Sequence, residues 1–179
     1  MSSLILTGDT SGTITLAAPA VAGTHTLTMP VATGTVMVNG PAFSATRTAA
    51  QTFSNSTFTK LQANTETFDT NSNYDPTTNY RFTPTVEGYY QINGNISFGG
   101  SSSGYSQISI YKNGAAYVYG SGITNNTGIG GQVFVASVVY LNGSTDYVEL
   151  YGWQNSGGSL GLLTSTGRNT FSGCMVRSA

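Results

Sequence analysis

Oxygen-bearing side chains stand at alternate positions in Asp69-Thr70-Asn71-Ser72-Asn73-Tyr74-Asp75, the spacing with which a calcium loop presents its ligands. The sixth position, where an EF-hand requires glycine, is Tyr74, and Tyr80 stands where the distal glutamate would. Asx-turn hydrogen bonding is therefore the expected chemistry of this loop, and no metal or cofactor is predicted. Catalysis finds little to work with. The glycine cluster Gly128-Ile129-Gly130-Gly131 lacks the lysine of a phosphate loop, and no Gly-x-Ser-x-Gly elbow occurs. A hydrolase of surface polysaccharide would need a carboxylate pair drawn from distant residues such as Asp69, Glu87 or Glu149. No enzyme is expected.

Binding is the remaining chemistry. Segments 101–105, 119–127 and 155–158 mix tyrosine, asparagine, serine and glycine, the adaptable combination of paratopes and many carbohydrate sites. The candidate ligand residues are Tyr105, Tyr119, Asn125, Asn126, Trp153 and Asn155. Trp153, the one tryptophan, either stacks a sugar or packs in an interface or core. Cys174, the single cysteine, excludes an intrachain disulfide. Its apolar neighbourhood between Gly173 and Met175 predicts a buried, inert thiol.

These residues sit in a chain of 179 residues with only 7% charged and 39% hydrophobic residues. Net charge is −1, which cannot neutralise a row of phosphates, so nucleic acid is not an expected partner. The longest apolar run, Val133 to Leu141, is much shorter than the roughly 20 residues of a membrane-spanning helix. The start Met1-Ser2-Ser3-Leu4-Ile5-Leu6 lacks the charged region and long apolar stretch of a signal peptide, so cytoplasmic synthesis followed by assembly is expected.

The elements that must position these groups are all strands. Tyr90, Ile92, Ile96 and Phe98 alternate with Gln91, Asn93, Asn95 and Ser97, the period of a half-buried strand. Ile108 and Ile110 repeat the pattern ahead of Lys112-Asn113-Gly114, a hairpin turn. Asn142-Gly143 reads as a second hairpin turn, between strands 133–141 and 147–153. No segment shows helical periodicity with caps, so an all-β sandwich or jelly roll is predicted for residues 41–179.

Residues 1–40 differ in texture. Gly12-Thr13-Ile14-Thr15-Leu16-Ala17-Ala18-Pro19, Gly23-Thr24-His25-Thr26-Leu27-Thr28-Met29-Pro30 and Gly34-Thr35-Val36-Met37-Val38-Asn39-Gly40-Pro41 share one frame. A Gly-Thr-x-x-aliphatic-x-x-Pro array of this kind predicts an extended repetitive β-stalk whose apolar side needs other copies to cover it. His25 occupies an apolar position of the repeat, where it packs or, in a trimer, stacks three imidazoles able to sense pH or hold a metal.

Several blocks in the remainder form a recognisable series. Pro41-Ala42-Phe43-Ser44-Ala45, Asn79-Tyr80-Arg81-Phe82-Thr83-Pro84, Glu87-Gly88-Tyr89-Tyr90, Lys112-Asn113-Gly114 and Asn169-Thr170-Phe171-Ser172-Gly173 follow in order. This series resembles the globular head of complement C1q, a jelly roll related to the tumour necrosis factors. The resemblance implies a homotrimer, with Pro41–Thr46 and Phe171–Arg177 as adjacent first and last strands. The family's collagen-like Gly-x-y segment is replaced here by the threonine-rich repeat. In that respect the chain resembles bacteriophage fibre proteins, whose β-rich stems carry heads of this kind.

Strand 133–141 is apolar on both faces, and a sandwich covers only one. Val133, Val135, Val139 and Leu141, with Tyr147 and Tyr151 of the following strand, are the expected trimer interface. Together these features predict a homotrimeric virion protein, on tail or capsid, synthesised in the host cytoplasm and displayed on the virion surface. Residues 1–40 would join other virion proteins, and the knob would contact a host glycan or receptor. The alternative is a secreted C1q-like module that recognises protein or carbohydrate.

Overall fold

A computed structural model describes residues 3–7, 10–17, 24, 39–100, 103–124, 130–164 and 167–179. The chain divides into two compact units, Met1–Thr35 and Val36–Ala179. In the first, β1 (Ser3–Thr7) and β2 (Thr13–Ala17) form an antiparallel hairpin with Leu4 opposite Leu16 and Leu6 opposite Ile14. The first repeat copy thus folds back on the preceding segment instead of running on as a lone strand. Backbone groups left unpaired in a lone strand find partners in this ladder. His25 and most of the second and third copies lie outside the described residues.

The second unit is all-β in its described residues. Its strands are β3 (Ala42–Thr46), β4 (Thr52–Phe53), β5 (Thr59–Lys60), β6 (Thr65–Asp69), β7 (Tyr74–Asp75) and β8 (Arg81–Phe82). The longer β9 (Glu87–Ser97), β10 (Tyr105–Lys112), β11 (Ala115–Thr124), β12 (Gln132–Asn142) and β13 (Val148–Gln154) follow, then β14 (Leu160–Gly161) and β15 (Thr170–Ser178). One sheet runs β12-β9-β15-β3-β6; the facing sheet runs β11-β10-β13-β8-β7, with β5 also paired to β13. β4 and β14 form a small third pair. The first and last long strands of the knob are neighbours as expected, with Ala42 opposite Cys174 and Thr46 opposite Thr170.

Alternation dictates the core. β9 sends Tyr90, Ile92 and Ile96 inward, β10 sends Ile108 and Ile110, and β13 sends Val148 and Leu150, all buried. Phe43 stacks on Phe82 at 4.3 Å and on Tyr74 at 5.0 Å, and meets Phe171 edge-on at 5.0 Å. Such ring pairs add about 0.5–1.5 kcal/mol each beyond the area they bury. Gly94 is required for close packing: a Cβ there would overlap the Leu150 side chain arriving from the other sheet.

The Lys112-Asn113-Gly114 turn forms as predicted, with Asn113 at φ 53° and Gly114 at φ 80°, the left-handed pair of a type I′ hairpin. Asn142-Gly143 does not close a hairpin, because β12 and β13 belong to different sheets. Instead Asn142 Oδ1 accepts the N–H groups of Ser144, Thr145 and Asp146 at 2.9–3.0 Å, and the chain switches sheets through this loop. At the open side of the sandwich the Phe134 N–H donates to Ser121 Oγ at 2.7 Å, bridging edge strands β11 and β12.

Candidate functional site

The acidic loop is organised by its own backbone. Asp69 Oδ2 accepts the Tyr74 N–H at 2.7 Å, and Asp75 accepts the N–H groups of Thr77, Thr78 and Asn79 at 2.9–3.0 Å. Those donors hold the Asp75 carboxyl well below the usual carboxylate range. The three carboxylates a hydrolase would draw on have separate partners: Asp69 the Asn71 and Tyr74 amides, Glu87 the Tyr140 phenol, and Glu149 the Lys60 ammonium. Among the described residues, no three metal-ligating side chains cluster.

Two outward faces remain. On the five-stranded sheet, the expected interface residues Val133, Val135, Val139 and Leu141 point inward and are buried within one subunit. Their register explains this: Val133 pairs with Ile96 and Val139 with Tyr90, so they share the core face of β9. The other face of β12 is bare. Phe134 is 53%, Val138 51% and Tyr140 37% exposed, and beside them stand Tyr89 of β9 and Val176 of β15. Val138, Gln91 and Cys174 form one cross-sheet row, and Phe134, Asn95 and Thr170 another. An apolar ridge on β12 therefore borders a polar ladder on β9 and β15. Cys174 is exposed on this face, not buried, because its pairing with Gln91 sets its side chain outward.

Tyr151, opposite Ser109 of β10, belongs to the other sheet, away from this ridge, and Tyr147 precedes β13 in the connecting loop. Tyr147 lies 4.2 Å beneath the Arg81 guanidinium. Tyr151 stacks on Tyr111 at 3.9 Å, and burial, reinforced by Glu149, pushes its hydroxyl up to about 12. Glu149, almost wholly buried, is paired with Lys60, which also donates to the Asn79 carbonyl at 3.1 Å.

The same sheet gathers three of the predicted ligand residues. β10 pairs with both β11 and β13, so Tyr105, Tyr119 and Trp153, distant in sequence, meet over one stretch of sheet. Tyr105 lies 6.5 Å from Trp153 with its ring tilted by 58°. Phe58, brought alongside by the pairing of β5 with β13, sits 5.9 Å from Tyr119 and 6.4 Å from Trp153. With Gln107 these rings line an open cleft of about 520 Å³. Gly122 makes room for it, since a Cβ there would overlap the Tyr105 phenol. Asn155 acts as a brace: its Oδ1 accepts the Tyr105 N–H at 2.6 Å. Asn125 and Asn126 lie outside the described residues. Phe58 and Gln107 carried no signal in the sequence, where one is a lone aromatic in a polar run and the other a polar position in a strand.

No protein-family model and no curated protein matches this sequence. Solved structures do match in shape. The Eiger TNF of S. frugiperda superposes with a TM-score of 0.58 at 11% identity, over 79% of this chain and 95% of that one. Murine APRIL at pH 5.0 gives 0.57 at 9% identity, over 76% and 99%. The globular domain of zebrafish complement 1qA gives 0.55 at 18% identity, over 78% and 99%. Identities this low speak to architecture alone. The knob has the C1q/TNF-like jelly-roll fold.

Proposed function

We propose that this chain is a structural protein of a bacteriophage virion. It is a homotrimeric fibre or decoration protein whose knob contacts the host cell surface through glycans. Residues 1–40 join it to other virion proteins. The observation that carries this reading is the bare face of the five-stranded sheet, where Phe134, Val138, Tyr140, Tyr89 and Val176 stand uncovered in one subunit. Covering half of such a side chain is worth about 1 kcal/mol, so five per chain favour association of copies. The hairpin of the first unit supports the same reading. Leu4, Leu6, Ile14 and Leu16 share one of its faces and are half exposed or more. A two-stranded hairpin is marginal alone and needs a further surface to pack on.

Two sequence features agree with a particle exterior: the Gly-Thr repeat and the low charge. The experiment is immunogold labelling of purified virions with an antibody raised against residues 41–179, combined with binding of the soluble protein to host cells. Labelled particles and saturable cell binding are expected. Unlabelled particles would overturn the virion reading, and a secreted recognition module would then take its place.

A further inference from the structure

We infer that the cleft formed by Phe58, Tyr105, Gln107, Tyr119 and Trp153 is a binding site for a neutral oligosaccharide. This rests on the glycan-contacting knob proposed above and locates its ligand site. Three observations carry it. First, the rings form a shallow, mostly apolar recess with polar groups at its edge. Tilts of 41–58° between neighbours give it relief over an open volume of about 520 Å³. A pyranose presents an apolar C–H face to such a wall and hydroxyl groups at its edges. The phenols of Tyr105 and Tyr119 and the Gln107 amide are the matching polar groups, and all are neutral.

Second, none of the residues lining the cleft is charged. The nearby cation and carboxylate, Lys60 and Glu149, are already paired with each other. An anionic sugar or a charged peptide finds no counter-ion here. Third, the cleft is preorganised. Phe58 touches both Tyr119 and Trp153, and Tyr105 is fixed by its backbone bond to Asn155 and by the space that Gly122 leaves. Binding therefore requires little ordering of side chains. The ridge on the opposite sheet lacks this character and suits a second copy of the chain better.

Trp153 is the one tryptophan, so its fluorescence reports the cleft directly. The full chain is applied to an array of neutral and acidic bacterial surface glycans, and each neutral hit is titrated while Trp153 emission is followed. Saturable quenching by at least one neutral oligosaccharide is expected. Tyr119→Ala should weaken it about tenfold. Tyr119→Phe, which keeps the ring, should stay within about threefold. Gly122→Ala, whose methyl group would overlap the Tyr105 phenol and push that ring out of its place in the cleft, should weaken binding as well.

Unchanged affinity in Tyr119→Ala and Gly122→Ala would overturn the site and leave the glycan-binding knob standing. Binding to acidic glycans alone would overturn the proposal and leave that reading standing, whereas binding to none would overturn both. Loss of the oligomer in Tyr119→Ala, seen by light scattering, would identify the cleft as a subunit contact and overturn it too.

Discussion

Val138 and Val139 are adjacent, identical in chemistry and opposite in environment, so one substitution at each separates the two faces of β12. Val139 is fully buried against the Tyr90 strand, whereas Val138 is 51% exposed on the ridge. Val139→Asp places an unpaired carboxylate in the sandwich core, at a cost above about 4 kcal/mol. Against a total stability of about 5–15 kcal/mol, that removes from roughly a quarter to most of the margin. Val138→Asp leaves its charge in water in an isolated subunit, where the cost is within about 0.5 kcal/mol. In an assembly it would bury one unpaired carboxylate per chain, each costing several kcal/mol. The predicted outcome is therefore a folded but dissociated protein. Far-ultraviolet circular dichroism reports folding and light scattering reports mass. Val138→Asp should keep the β spectrum and its thermal stability as a subunit and lose the oligomer, while Val139→Asp should lose the β spectrum at a much lower temperature than the wild type. An oligomer that persists in Val138→Asp would refute the assignment of this ridge as the contact face, and an unfolded Val138→Asp would refute the face assignment itself.

Phe43→Ala removes the ring at the centre of four aromatics and should cost about 3–5 kcal/mol in urea unfolding; a loss below about 1 kcal/mol would show that the cluster is not a central part of the core. Gly94→Ala forces a methyl group into Leu150 and should cost about 1–3 kcal/mol in the same assay, with unchanged stability as the contrary result. Asp75→Asn tests the loop through pH. Because the folded-state pKa is lowered by the Thr77, Thr78 and Asn79 amides, its contribution is complete above the unfolded value of about 3.9 and is lost as pH falls through the folded value. The variant should melt below the wild type at pH 7, and the gap should close in acid; a gap that widens below pH 4 would contradict this sign.

The strands of the knob are readable because β9 alternates along its length, Ile108 and Ile110 of β10 and Val148 and Leu150 of β13 keep the same period, and the Asn113-Gly114 pair announces its turn. What misled was β12, where both alternating sets are apolar and period alone cannot choose the inner one. The deciding signal lay on its partner: Tyr90, Ile96 and Gly94 of β9 stand opposite Val139, Val133 and Val135, and the space at Gly94 is filled by the core residue Leu150. Cys174 failed for a related reason, since apolar neighbours say nothing of which way a strand residue points. For the cleft, three of its residues were named singly, but their convergence depends on β10 pairing with two distant strands. No local pattern encodes that. Phe58 arrives by a two-residue pairing of β5 with β13, too short to leave a periodic trace.

The account rests on subunits covering the Phe134–Val138 ridge with one another, and Cys174 sits on that same face as the one thiol in the chain. Its reaction rate with a thiol reagent is therefore a footprint, read beside the mass from light scattering. The account predicts a particle about three times the 18.6 kDa of one chain, with Cys174 protected until the assembly is dissociated by Val138→Asp. A stable 18.6 kDa species at micromolar concentration, with a freely reacting thiol, would contradict it.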